Sequence, residues 1–347
     1  MYLGIEIGGT KLQIGVGPGD GTLAGLWRQS VDVAAGPEGI RQQITAGVPA
    51  LLARSGVGRS QLRGVGIGFG GPVDDSTRTI IKSHQIEGWD GFPLADWITE
   101  ITELPSVLAN DADVAGLAEA LFGAGKGLSP IFYITVGSGI GGGLIIHGEI
   151  HRGAGRGAAE IGHLRATVAS GEKMGTGTGQ WLESAAFLRG WPEPVPIFSR
   201  HVPLEEVSSG WAIQEKAREE TRSDPARGAY LAQLAGGIEC ITAVDVARAA
   251  AEGDPLAGAV LSRALTYLAE GICQVIALIC PRRIVIGGGV SLMGETLFFQ
   301  PLRQLAAERV FKPFGNCYEI VPSALGEEVV VYGAVALARR TIAGWVK

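Results

Sequence analysis

The sequence is short of the features that would place it in several common classes. It has four cysteines, Cys240, Cys273, Cys280 and Cys317, and no two stand at the close spacing of a thiolate metal clamp. They are expected to be buried as small apolar residues. No long Lys/Arg run occurs, and 29 basic against 35 acidic residues leave a net charge of −6. That balance offers no footprint for a nucleic-acid backbone or an anionic membrane surface. The longest helix-like apolar run, residues 271–280, is too short to cross a bilayer. The opening Met1-Tyr2-Leu3-Gly4-Ile5-Glu6 lacks the basic and apolar stretches of a leader. A cytoplasmic protein without nucleic-acid or membrane partners is expected. At 347 residues and 46% hydrophobic content the chain suits two globular domains.

What is abundant is glycine. There are 54, where ordinary usage of about 7% gives roughly 24. They cluster at 8–9, 64–71, 137–143, 153–157, 175–179 and 287–289. Most clusters abut short β-branched segments at 3–7, 65–67, 131–136, 144–146 and 284–286, with helical periodicity between them at 112–122 and 256–279. The pattern is α/β. Glycine at a strand end lets the backbone approach a ligand and turn its N–H groups toward an anion. Gly125-Lys126 is not a Walker A loop, because Ala120 and Gly127 occupy the places of the first glycine and the Ser/Thr. Gly137-Ser138-Gly139-Ile140-Gly141-Gly142 fits G-x-G-x-x-G but runs into a second strand, so a hairpin is expected and a dinucleotide-binding turn is not. Residues 3–7, Gly8-Gly9-Thr10-Lys11 and 12–16 repeat that design. Two such hairpins suggest two lobes gripping one polyphosphate.

The ordered set Glu6-Ile7-Gly8-Gly9-Thr10-Lys11, Gly71-Pro72-Val73-Asp74, Asn110-Asp111-Ala112, Thr135 through Gly143, Glu160-Ile161-Gly162-His163 and Ile286-Gly287-Gly288-Gly289-Val290 resembles the ROK family of bacterial sugar kinases and repressors. The resemblance implies the α/β actin-like ATPase (ribonuclease H-like) fold, with two lobes around a nucleotide and sugar cleft. The small lobe is expected at 1–116 plus 332–347 and the large lobe at 117–331. It also implies a homodimer, and ATP and Mg2+ as cofactors. The expected reaction is phosphorylation of a hexose, most plausibly glucose at the 6-hydroxyl. Mannose, fructose, allose or an N-acetyl hexosamine are the alternatives, as is a sugar-binding relative with little kinase activity; polyphosphate stays open as donor.

From spacing alone, Asn110 and Asp111 read equally as a helix cap and as cleft residues. The resemblance implies Asp111 as general base, with Asn110 and Gly71 on the sugar. It further implies sugar contacts from Glu160, His163, Glu183 and Gln85, the last standing where relatives carry an asparagine. The phosphates would meet Gly8, Gly9, Thr10, Lys11, Gly137, Ser138 and Gly139, and the adenosine would meet Gly287, Gly288 and Gly289. Glu6 replaces the usual aspartate that helps place magnesium. The run Met174-Gly175-Thr176-Gly177-Thr178-Gly179-Gln180-Trp181-Leu182-Glu183 lacks the three cysteines of zinc-bearing relatives, so no structural zinc is expected. With the first hairpin beginning within the opening ten residues, a leading DNA-binding module is not expected. Residues 191–227 match no motif and are read as a helical excursion on the larger lobe.

Overall fold

The computed structural model describes residues 1–74, 76–83, 86–155, 157–169 and 199–345. Two five-stranded sheets follow one plan. In the first, β1 (Tyr2–Ile7), β2 (Lys11–Gly17) and β3 (Gly25–Ser30) form an antiparallel meander. Helix α1 (Gly36–Ser55) returns the chain to β4 (Val65–Phe69), parallel to β1. A ribbon of β5 (Val73–Asp74) and β6 (Thr79–Ile80) and helix α2 (Leu94–Thr102) precede β7 (Ser106–Asn110), parallel to β4. The chain then leaves through α3 (Asp111–Leu121).

The second half repeats this course. Strands β8 (Ile131–Val136), β9 (Ile140–Ile146) and β10 (Glu149–Ile150) form the meander. A longer excursion follows: the ribbon β11 (Arg165–Ala169) and β12 (Ser199–Pro203), then α4 (Glu205–Ser208), α5 (Gly210–Ser223), α6 (Ala229–Ala235), α7 (Ala243–Ala251) and α8 (Pro255–Ile279). Strand β13 (Arg283–Gly287), helix α9 (Gln300–Arg309) and strand β14 (Glu319–Pro322) complete the sheet, and α10 (Val329–Trp345) leaves it. The sheet orders, β3-β2-β1-β4-β7 and β10-β9-β8-β13-β14, are equivalent position by position. The described part of the 191–227 stretch is thus one strand and two helices.

The two outgoing helices change sides. Helix α3, continuing from the first sheet, lies on β8 and β9, whereas α10, continuing from the second, lies on β1 and β4 and packs along α3. Glycine makes these approaches possible. A Cβ on Gly4 would stand 2.7 Å from the Val331 carbonyl oxygen, and one on Gly143 2.7 Å from that of Ala112. At Gly66 it would overlap the Ala334 carbonyl, and at Gly333 the Val114 carbonyl. Within the 64–71 run, then, Gly66 seats a helix and does not approach a ligand. Sequence could not separate the two uses, because the partner backbone is more than 250 residues away along the chain.

Two other expectations are corrected. Cys240 is exposed and Cys273, Cys280 and Cys317 are partly exposed, because these residues lie at element ends or on mixed helix faces and not in the cores. The apolar run at 271–280 is the end of the 25-residue α8, which by length and composition alone could cross a membrane. Its Leu256, Val260, Leu261, Ala264, Leu268 and Ile272 instead fill the second core.

One buried carboxylate organises the passage from β14 to α10. Glu119 of α3 is fully buried. Its Oε1 accepts from Ser323 Oγ (2.6 Å) and the N–H groups of Ala324 (2.9 Å) and Leu325 (3.0 Å), and its Oε2 accepts from the Ala124 N–H (2.7 Å). Glu119→Ala would leave these donors without their acceptor. It is expected to destabilise the protein by about 3 kcal/mol in urea unfolding, with Glu119→Gln milder because one oxygen remains.

Candidate functional site

Each meander begins with a tight glycine turn. In the first, the Gly8 N–H donates to the Lys11 carbonyl (3.0 Å); Gly8 and Gly9 are half-exposed and Thr10 exposed. In the second, the Gly137 N–H donates to the Gly139 carbonyl (2.9 Å), and the Gly137 carbonyl accepts from the Gly210 N–H at the start of α5 (2.7 Å). Ser138 at its tip is exposed. The third cluster divides its roles. Gly287 is buried, and a Cβ there would overlap the Tyr133 hydroxyl. Gly288 has φ +88° and sits against the Val136 carbonyl, 2.5 Å from where a Cβ would lie, a combination that only glycine adopts without strain. Gly289 faces open space.

Asn110 and Asp111 stand where β7 passes into α3. Asn110 is the cap: its Oδ1 accepts from the N–H groups of Ala112 (2.8 Å) and Asp113 (3.4 Å), and its Nδ2 donates to the Gly71 carbonyl (3.0 Å). That frees Asp111, the first helical residue, from capping. Its Oδ2 lies beside Gly70 and the end of β1. Withdrawal from water pushes the carboxyl up to about 7; the negative charges of Glu6 and Glu160 add to this, and the Ala112 N–H opposes it. The residue keeps partial access to the cleft. A carboxyl poised near neutrality in a cleft is suited to take a proton.

Glu160 is exposed and precedes the short turn Ile161–His163, in which the His163 N–H donates to the Glu160 carbonyl (3.0 Å). It borders a small cleft shared with Pro72, Asn110, Asp113 and Arg152. His163 is also exposed. Gln85 and Glu183, and with them the 174–183 run, lie outside the described residues.

Lys11 does not stand alone. Its Nζ is 3.2 Å from Glu6 Oε1 and donates to the Glu327 carbonyl (3.0 Å). Glu6, nearly inaccessible, accepts at Oε2 from Gln13 Nε2 at 2.7 Å. Burial raises the Glu6 carboxyl above its ordinary range, opposed by Lys11 and Gln13. Among the described residues no three His, Cys, Asp or Glu are grouped as a ready metal cage. The Glu6 charge nonetheless reaches Asp111 and raises its carboxyl, and a cleft carrying this negative charge suits a divalent cation brought in on polyphosphate, the way magnesium is usually held. Gln13, Asp113 and Arg152 escaped the sequence reading. For Gln13 a signal existed, since a turn at 8–11 sets Ile7 opposite Leu12 and hence Glu6 opposite Gln13.

The sequence profile of the ROK family matches residues 2–341. A glucokinase of Thermotoga maritima is 30% identical over 342 residues, spanning 99% of this chain and 98% of that protein. A glucokinase of Streptomyces coelicolor is 30% identical over 344 residues, spanning 98% of each. Among solved structures, a ROK family glucokinase from Streptomyces griseus in complex with glucose and AMPPNP is similar with a TM-score of 0.76 and 29% identity, covering 98% of this chain and 99% of that one. The fold is the two-lobed actin-like ATPase fold.

Proposed function

Because the chain belongs to the ROK family over nearly its whole length, we propose that it is a glucokinase, moving the γ-phosphoryl group of ATP to the 6-hydroxyl of glucose. It is a sugar kinase, as its full-length relatives are. The observation that carries the mechanism is the half-buried Asp111, its carboxyl raised to about 7 at the junction of the two sheets. Phosphoryl transfer asks the protein mainly to position and to neutralise charge. In our reading Asp111 takes the hydroxyl proton. Asn110, Gly71, Glu160 and His163 hold the sugar, with Gln85 and Glu183 assigned to the same task. Gly8, Gly9, Thr10 and Lys11 meet the phosphates from one lobe and Gly137, Ser138 and Gly139 from the other; Gly288 and Gly289 approach the adenosine, with Gly287 packed behind them. Magnesium, held from the protein side by Glu6, would offset charge on the transferred group. The lobes 1–116 plus 332–347 and 117–331 close over both substrates and exclude water. A cytoplasmic homodimer belongs to the same reading.

Coupled ADP release with magnesium and ATP across a panel of hexoses and N-acetyl hexosamines tests this. Highest turnover on glucose is the expected result; a preference for another sugar would reassign the substrate, and sugar binding without turnover on any would leave a sugar sensor. The base also predicts a pH profile. Because Asp111 must be ionised to accept a proton, kcat/KM is expected to fall as pH drops through about 7, approaching a tenfold loss per unit on the acid limb.

A further inference from the structure

Three polar residues stand side by side across the first meander. The strand register sets Glu6 opposite Gln13 and Gln13 opposite Arg28, so all three share one face of β1-β2-β3. Gln13 is completely buried and uses both of its donors and its acceptor. Its Nε2 donates to Glu6 Oε2 (2.7 Å) and to the Glu327 carbonyl (3.0 Å), while its Oε1 accepts from Arg28 Nε (2.9 Å). Arg28 is held in turn by Glu327 Oε2 (3.2 Å) and Glu328 Oε1 (2.5 Å). This fixes which way the amide points. Reversed, it would set its NH2 against the guanidinium and its oxygen against a carboxylate, two repulsions in place of two bonds.

The effect falls on Glu6. A glutamate has one more rotatable bond than an aspartate, so its carboxylate needs more restraint to hold one place. Here Lys11 holds one oxygen and Gln13 the other. We propose that Gln13 is a positioning residue for phosphoryl transfer: it holds the Glu6 carboxylate where the magnesium nucleotide is received, and Arg28 keeps the Gln13 amide turned toward it. This rests on the kinase reading above.

The test is calorimetric binding of AMPPNP to the full chain, with magnesium and separately with a chelator, beside steady-state kinetics. Gln13→Ala is expected to weaken binding of the magnesium nucleotide about 10-fold, as loss of groups that orient metal ligands commonly does, while chelated nucleotide and glucose bind as before. In a Glu6→Ala background the same change is expected to have no further effect on magnesium-dependent binding. Arg28→Ala, at a half-exposed side chain, should show the same pattern in smaller measure, and it decides the matter if Gln13→Ala fails to fold. Equal weakening with and without magnesium, or an undiminished effect in the Glu6→Ala background, would overturn the proposal. A wild-type protein that binds no magnesium nucleotide and turns over no sugar would instead overturn the kinase reading. Normal wild-type turnover with an indifferent Gln13→Ala would sink this inference alone.

Discussion

Asp111→Asn is expected to lower kcat for sugar phosphorylation by about 10³-fold, the range in which a positioned general base contributes, with sugar affinity largely kept because the two side chains are nearly isosteric. The same substitution should make the protein harder to unfold at neutral and alkaline pH. The carboxyl titrates near 3.8 in an ordinary setting and at about 7 in this fold. Its proton therefore favours the folded state fully below the lower value, and that advantage is lost as pH rises through the upper one. An amide carries no such charge. The variant's gain in melting temperature is expected at pH 8 and should vanish near pH 4. Turnover by coupled ADP release, sugar binding by calorimetry and melting at the two pH values check the three parts. Lost turnover without a stability gain at pH 8 would mean that the carboxylate is solvated and that its catalytic role does not come from burial.

The second large effect lies far from the chemistry. Gly333→Ala would ordinarily strengthen a helix by about 1 kcal/mol. In α10 the added methyl would overlap the Val114 carbonyl oxygen, which belongs to the backbone of α3 and cannot swing aside. We expect the sign to reverse, with a loss of about 3 kcal/mol in urea unfolding. Gly344→Ala, in the last turn of the same helix with nothing within 4 Å, is the control and should be neutral or slightly stabilising. Equal stabilities for the two variants would show that α3 and α10 are not in close contact in solution.

These two positions also mark what sequence alone could convey. The paired hairpins followed from β-branched runs meeting Gly8 and Gly137, because such signals lie within a few residues of each other. The place of Asp111 between a strand and a helical run left cap and cleft equally open, and only the family resemblance singled it out. Gly66 and Gly333 were legible only as glycines; what a Cβ would strike is set by Ala334 and Val114, which the fold alone brings near. Asn110 illustrates a different limit. Capping and site membership competed on paper; the structure shows the capping, with the same side chain also holding the Gly71 carbonyl at the cleft, and a sugar contact from Asn110 belongs to the proposal. Gln13 could have been found from the hairpin register, had a single glutamine inside an apolar strand been asked what it faced. The cysteines were misjudged because residue type predicts burial on average, whereas Cys280, the residue that ends α8, sits where a helix meets solvent.

The exchange of helices has a mechanical consequence. Two bodies joined at two crossings keep one easy degree of freedom, rotation about the line through both. Here the crossings are the step from β7 into α3 at Asn110 and Asp111, and the segment from Ser323 to the start of α10 that Glu119 holds. Asp111 therefore lies at the axle. With Asp111 as the proton acceptor proposed above, rotation of the outer rims about that line would leave the acceptor nearly stationary, and substrates carried by either rim would be brought to a fixed point.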